Sequence, residues 1–126
     1  MVSENGNAKN PFLFLGNIDH DNCSGPGDCS AADQFNPSGN WSWPINAKVK
    51  FTQGYGYTWA IQNTWVGNIY KFHSGIDVNS LTSPDVKAVK SGTLYKGTYF
   101  VGCALSYVKV HHDENNIDTF YLHVKD

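Results

Sequence analysis

At 126 residues the chain is sized for one domain with a single, modest hydrophobic core. Its 9 Lys plus Arg stand against 11 Asp plus Glu, giving a formal net charge of -2 and a pI near 6.2. That balance lacks the basic footprint that neutralises a phosphate backbone, so nucleic acid is excluded as the natural partner.

The 12 Gly, with 7 Tyr, 7 Phe and 4 Trp, describe a turn-rich and aromatic-rich chain, and strands rather than helices are expected. No apolar run approaches the roughly 18 residues of a bilayer span, and the longest near the start is Phe12 to Leu15. No transmembrane segment is expected. The start shows no basic segment followed by an apolar one of about 7–15 residues, so no secretory leader is visible.

In chain order, residues 1 to 40 are rich in Asn, Gly, Ser, Asp and Pro, with Pro11-Phe-Leu-Phe-Leu15 as the one apolar patch. They read as a mostly irregular linker or arm. Within it Cys23 and Cys29 flank Ser-Gly-Pro-Gly-Asp, a flexible segment able to close a small disulfide loop in an oxidising compartment. Cys103 is left over and reads as an unreactive thiol.

The texture changes at Trp41, where short alternating runs bounded by Gly, Asn or Ser begin. Strands are predicted over Lys48 to Thr52, Ile69 to Phe72 or nearby, Ile76 to Val78, Asp85 to Val89, Gly92 to Tyr99, Ala104 to His111 and Asp118 to Val124. Asp113-Glu-Asn-Asn116 reads as a hairpin loop joining the last two antiparallel. Thr58 to Asn63 shows the only hint of a helical turn.

The chemistry concentrates in His73-Ser-Gly-Ile-Asp77, a His and an Asp four residues apart at the head of a predicted strand. Imidazole nitrogen and carboxylate oxygen both bind zinc, at about 2.0–2.2 Å. In this composition about one third of a His-x-x-x-Asp match arises by chance, so the flanking sequence has to carry the reading.

Five features, in order, resemble the lysostaphin-like zinc metalloendopeptidases. Gln53-Gly-Tyr-Gly56 is similar to that family's Gly-aromatic-Gly turn, and Phe72-His-Ser-Gly-Ile-Asp-Val78 to its aromatic-His-x-Gly-Ile-Asp segment. Val86-Lys-Ala-Val-Lys-Ser-Gly-Thr-Leu-Tyr95 resembles its V-x-A-x-x-x-G-x-V double strand. Tyr107-Val-Lys-Val-His-His112 and Tyr121-Leu-His123 resemble its V-x-I-x-H and Tyr-x-His strands.

The resemblance covers residues 41–126, which would be the N-terminal portion of such a domain. It implies a mainly β, antiparallel fold of the duplicated hybrid motif type and a zinc-dependent cleavage of peptide cross-links in bacterial peptidoglycan. The location implied is extracellular or in the cell envelope. His73 and Asp77 would be two of three protein zinc ligands, and His123 would polarise the reacting carbonyl. The aromatics Tyr55, Tyr57 and Trp59 suit either a groove for such an extended peptide or a plain core. His112 would be structural.

The family's later His-x-His, which supplies the third ligand, is absent from this sequence. His111-His112 cannot replace it, because adjacent residues on a strand face opposite sides. The rival readings are a catalytically degenerate cell-wall or partner-binding module of the same fold, and an unrelated sugar-binding β-sandwich using exposed Trp41, Trp43 or Trp65.

Overall fold

The computed structural model describes residues 1–21, 36, 39–65, 67, 71–82, 84–100 and 104–124. The fold is mainly antiparallel β. The strands are β1 (Val2–Glu4), β2 (Asn7–Lys9), β3 (His20–Asp21), β4 (Val49–Gln53), β5 (Asp77–Ser80), β6 (Thr93–Phe100), β7 (Ala104–His112) and β8 (Ile117–Leu122). The described helices are a 3-10 turn, Pro11–Leu13, and one short α-helix, α1 (Trp59–Asn63). No described helix is long and apolar enough to cross a membrane.

A five-stranded sheet runs in the order β2-β1-β8-β7-β6 with every pair antiparallel. The turn over residues 113–116, with Asn116 at φ 52, joins β7 to β8 as the Asn-rich loop dictates. In the resulting register Val110 faces Thr119 and His112 faces Ile117, and all four are buried. The alternate face carries Lys109 opposite Phe120 and His111 opposite Asp118. Period-two alternation in the sequence thus becomes one buried and one wetter face.

The second sheet, β3-β4-β5, packs its own cluster of Phe12, Val49 and Phe51. The first sheet packs Val2, Leu15, Trp41, Val89 and Ile117. Trp43 and Ile76 lie against both clusters and tie the sheets into one body. Ile76 immediately precedes Asp77, so the candidate site sits on the seam between the two clusters.

Several expectations change. Within the first 21 residues, Val2–Glu4 and Asn7–Lys9 form a hairpin about Asn5 (φ 50) and Gly6 (φ 80), and β1 pairs along β8. Val2 and Leu15 are buried together with Trp41, Val89 and Ile117, and Phe12 together with Val49 and Phe51. The physical reason is that β8 exposes an edge with a buried Ile117 beside it, and the hairpin satisfies both.

The predicted strand Asp85 to Val89 shrinks to a single bridge, Ile45 to Val86. Pro44 accepts from Lys87 N at 2.8 Å but has no N–H to return, which interrupts the ladder there. Of Ile69 to Phe72, the described residues 71 and 72 are bends, and residues 69 and 70 lie outside the described part. The expectations for Cys23, Cys29 and Cys103 also fall outside the described residues.

Candidate metal centre

The turn before the site is built by Gly54 and Gly56. Gly56 adopts φ +102, a left-handed conformation that disfavours any side chain, and it exchanges two backbone bonds with His73, at 2.8 and 2.9 Å. Just beyond, Thr58 caps α1: its hydroxyl accepts from Ile61 N at 3.3 Å and from Gln53 Nε2 at 2.9 Å. The backbone of His73 and the segment facing it are therefore pinned.

The His73 ring is oriented by the Gly54 carbonyl, 2.6 Å from Nδ1. A carbonyl oxygen only accepts, so Nδ1 carries the proton and donates it. This leaves Nε2 directed at Asp77 Oδ1, 3.4 Å away. In the neutral ring both of these atoms are lone-pair donors, and two such atoms facing each other call for a cation between them.

That cation is a proton or a metal ion. Two ligands of a tetrahedral zinc, each at about 2.0–2.2 Å, lie about 3.4 Å apart, which is the separation observed. The backbone-anchored Nδ1–H is also the usual second partner of a zinc-binding imidazole. On donor type, spacing and anchoring, His73 and Asp77 fit two positions of a zinc site. Among the described residues no third His, Cys, Asp or Glu joins them to make a metal-binding group.

Proton occupancy is reflected in the electrostatics. Burial, the largest single influence, disfavours the His73 imidazolium, but the hydrogen bond and charge of Asp77 and the Gly54 carbonyl together outweigh it and raise its pKa. The Met1 amine also lies nearby. It donates to Phe120 O at 3.0 Å, while the Ser74 hydroxyl donates to Met1 Sδ at 3.1 Å, and a β-carbon on Gly75 would sit 3.5 Å from Met1 Cα. Burial lowers this amine from 8.0 to about 6, against the attraction of Asp77.

A pH dependence follows. Between about pH 6 and 8 the unfolded chain holds a proton on this amine that the folded chain lacks, so stability rises with pH across that window. Allowing for the partial exposure of Met1, the rise is roughly 2 kcal/mol. His73 acts in the opposite sense: its contribution is complete below the ordinary 6.5 and fades as pH climbs through its raised folded value. Denaturant titrations at pH 6 and pH 8 should show a net gain at pH 8. Acetylating the amine should abolish the gain and leave only the His73 trend.

The other candidates are placed as follows. Tyr55 packs edge-on against Phe72 at 5.0 Å and donates its hydroxyl to Ala8 O at 3.2 Å, so it braces the hairpin. Tyr57 also meets Phe72 edge-on, at 5.2 Å, and is 72% exposed. Both rings therefore contact the residue next to His73. His123 follows β8 at φ 58 and is exposed, and it does not complete a metal-binding group with His73 and Asp77.

His112 is 2% exposed and hydrogen-bonded to Ser91 O at 2.9 Å and Thr119 Oγ1 at 3.0 Å, a packed structural imidazole. His111 turns the other way and pairs with Asp118 at 2.8 Å. Of the tryptophans offered for sugar binding, Trp41 is buried and Trp43 donates to Gly16 O at 2.6 Å; Trp65 is exposed.

Sequence reasoning missed the Gly54 carbonyl, Ser74 and Met1 as neighbours of the pair. A backbone carbonyl has no side-chain signature, and Met1 arrives only through the long-range pairing of β1 with β8. No protein-family model, curated protein or solved structure matches the chain.

Proposed function

We propose that this chain carries part of the centre of a lysostaphin-like zinc endopeptidase acting on peptide cross-links of bacterial peptidoglycan, outside the cell or in its envelope. The observation that carries the reading is the His73 Nε2 to Asp77 Oδ1 separation of 3.4 Å with Nδ1 tied to Gly54 O. It gives the two residues singled out by the sequence resemblance the spacing and tautomer of metal ligands.

In this reading His73 and Asp77 hold the ion. Gly54 O fixes the His73 tautomer and aims the ring, and Gly56 fixes the strand beneath it. Zinc bound there supplies Lewis acidity toward a peptide carbonyl and activates water. His123 is assigned by resemblance alone to donate a hydrogen bond to the oxyanion that develops on that carbonyl. Tyr57, exposed beside Phe72, gives an extended peptide an apolar surface next to the pair.

Two protein ligands grip zinc more weakly than the three of a complete catalytic site. Calorimetric titration should therefore find one zinc per chain with a Kd of roughly 10 μM or weaker, and hydrolysis of peptidoglycan by this chain should be slow or absent. His73→Ala and Asp77→Ala should each weaken binding by at least about tenfold. Sub-micromolar binding lost in His73→Ala would require a third ligand from this chain. Zinc binding untouched by both substitutions would sink the assignment and favour a metal-independent wall-binding or partner-binding module.

A further inference from the structure

β6 (Thr93–Phe100) lies at the end of the five-stranded sheet, paired by β7 along its whole length on one side. Among the described residues no strand pairs with its other side. Large apolar groups stand exposed on both of its faces: Leu94 at 59% and Phe100 at 78% on one, Tyr95 at 49% and Tyr99 at 50% on the other. Folded proteins ordinarily blunt such an edge with proline, a bulge, short length or several charges. β6 has no proline, an unbroken register from Thr93 to Phe100, and a single charged residue, Lys96.

We propose that β6 pairs antiparallel with β6 of a second copy of this chain, about a two-fold axis at Gly97, joining two five-stranded sheets into one continuous sheet. The register follows from symmetry and charge. A two-fold axis between antiparallel neighbours stands perpendicular to the sheet and keeps each residue on its own face. Each such register is therefore centred on one residue that faces its own copy.

Centring on Lys96 pairs residues 93–99 but sets lysine directly against lysine, which is destabilising. Centring on Tyr95 or Thr98 leaves one end of the strand unpaired. Centring on Gly97 pairs residues 94–100 and opposes Leu94 to Phe100 of the partner subunit, Tyr95 to Tyr99 of the partner subunit, and Lys96 to Thr98 of the partner subunit.

Apolar and aromatic cross-strand pairs of this kind stabilise a sheet. The glycine suits the axis for a second reason. The Tyr107 ring lies where a β-carbon on Gly97 would project, so the aromatic face runs unbroken from Tyr95 over Tyr107 to Tyr99. Lys109 caps that face at its outer end, with Nζ 4.9 Å from the Tyr95 ring centre.

Sedimentation equilibrium of the full chain across about 1–200 μM tests the pairing. A reversible monomer–dimer equilibrium is expected. Leu94→Lys and Phe100→Glu, both at exposed positions, should each weaken the dimer by at least about tenfold with an unchanged far-ultraviolet spectrum. The double variant should recover most of that loss, because the two introduced charges then face each other across the axis. A chain that stays monomeric at every concentration overturns the proposal, as does a dimer indifferent to both single substitutions. Failure of the double variant to recover would overturn the Gly97 register.

Discussion

Deleting residues 1–9 is expected to cost about 4–6 kcal/mol, a large share of the roughly 5–15 kcal/mol that holds a domain together. Val2 is 4% exposed and packs with Leu15, Trp41, Val89 and Ile117, and removing such a side chain forfeits about 1.5–3 kcal/mol. The backbone of β1 pairs with residues 117–119 of β8. Met1 and Phe120 exchange two further bonds, and Asn5 N reaches Asn116 O at 3.3 Å.

Each of those bonds contributes about 0.5–1.5 kcal/mol net. Loss of the hairpin also leaves the β8 edge bare, and the shortened chain should aggregate as strand edges pair between molecules. Urea denaturation followed by tryptophan fluorescence checks the first effect and light scattering the second. A truncated chain with an unchanged midpoint would return residues 1–9 to the status of a tether.

Phe51→Ala should destabilise the protein by about 3–5 kcal/mol, the usual cost of emptying a large buried aromatic site. Phe51 is 1% exposed and meets Phe12 edge-on at 5.4 Å and Trp43 at 5.8 Å, so its neighbours come from two separate segments and cannot collapse together into the gap. The substitution also reaches the candidate site. Phe51 stands opposite Val78, and the ladder then slips so that Gln53 faces Asp77. Loosening this bulge moves the Asp77 carboxylate relative to His73, and zinc affinity should fall along with stability. Phe51→Leu, which refills most of the volume, should restore both.

How much of this was legible in the sequence depended on the range of the interactions. β4 and β7 could be read from alternation, β6 and β8 from aromatic and β-branched runs bounded by Gly or Asn, and the Asp113–Asn116 turn because Asn tolerates the left-handed φ it needs. The hairpin over residues 2–9 was not read although Glu4-Asn-Gly-Asn7 contains Asn-Gly, the strongest short hairpin signal. Strands of three residues are too short to show a period, and the partner that makes them strands lies more than a hundred residues away. At the site, the approach of His73 to Asp77 was legible in their spacing and flanking residues. The tautomer was not, because a backbone carbonyl sets it.

The proposed function requires that His73 Nε2 and Asp77 Oδ1 bind a zinc ion between them. Nuclear magnetic resonance of the histidine side chains during zinc addition tests it directly, because a ring nitrogen that binds metal shifts strongly while a nitrogen that keeps its proton does not. The account predicts that zinc shifts His73 Nε2 and leaves its Nδ1–H bonded to Gly54, and that Asp77→Ala weakens the response. His112, held on both nitrogens inside the core, should not move. Zinc that leaves His73 unchanged, or that acts only on His111 or His123, would contradict the account.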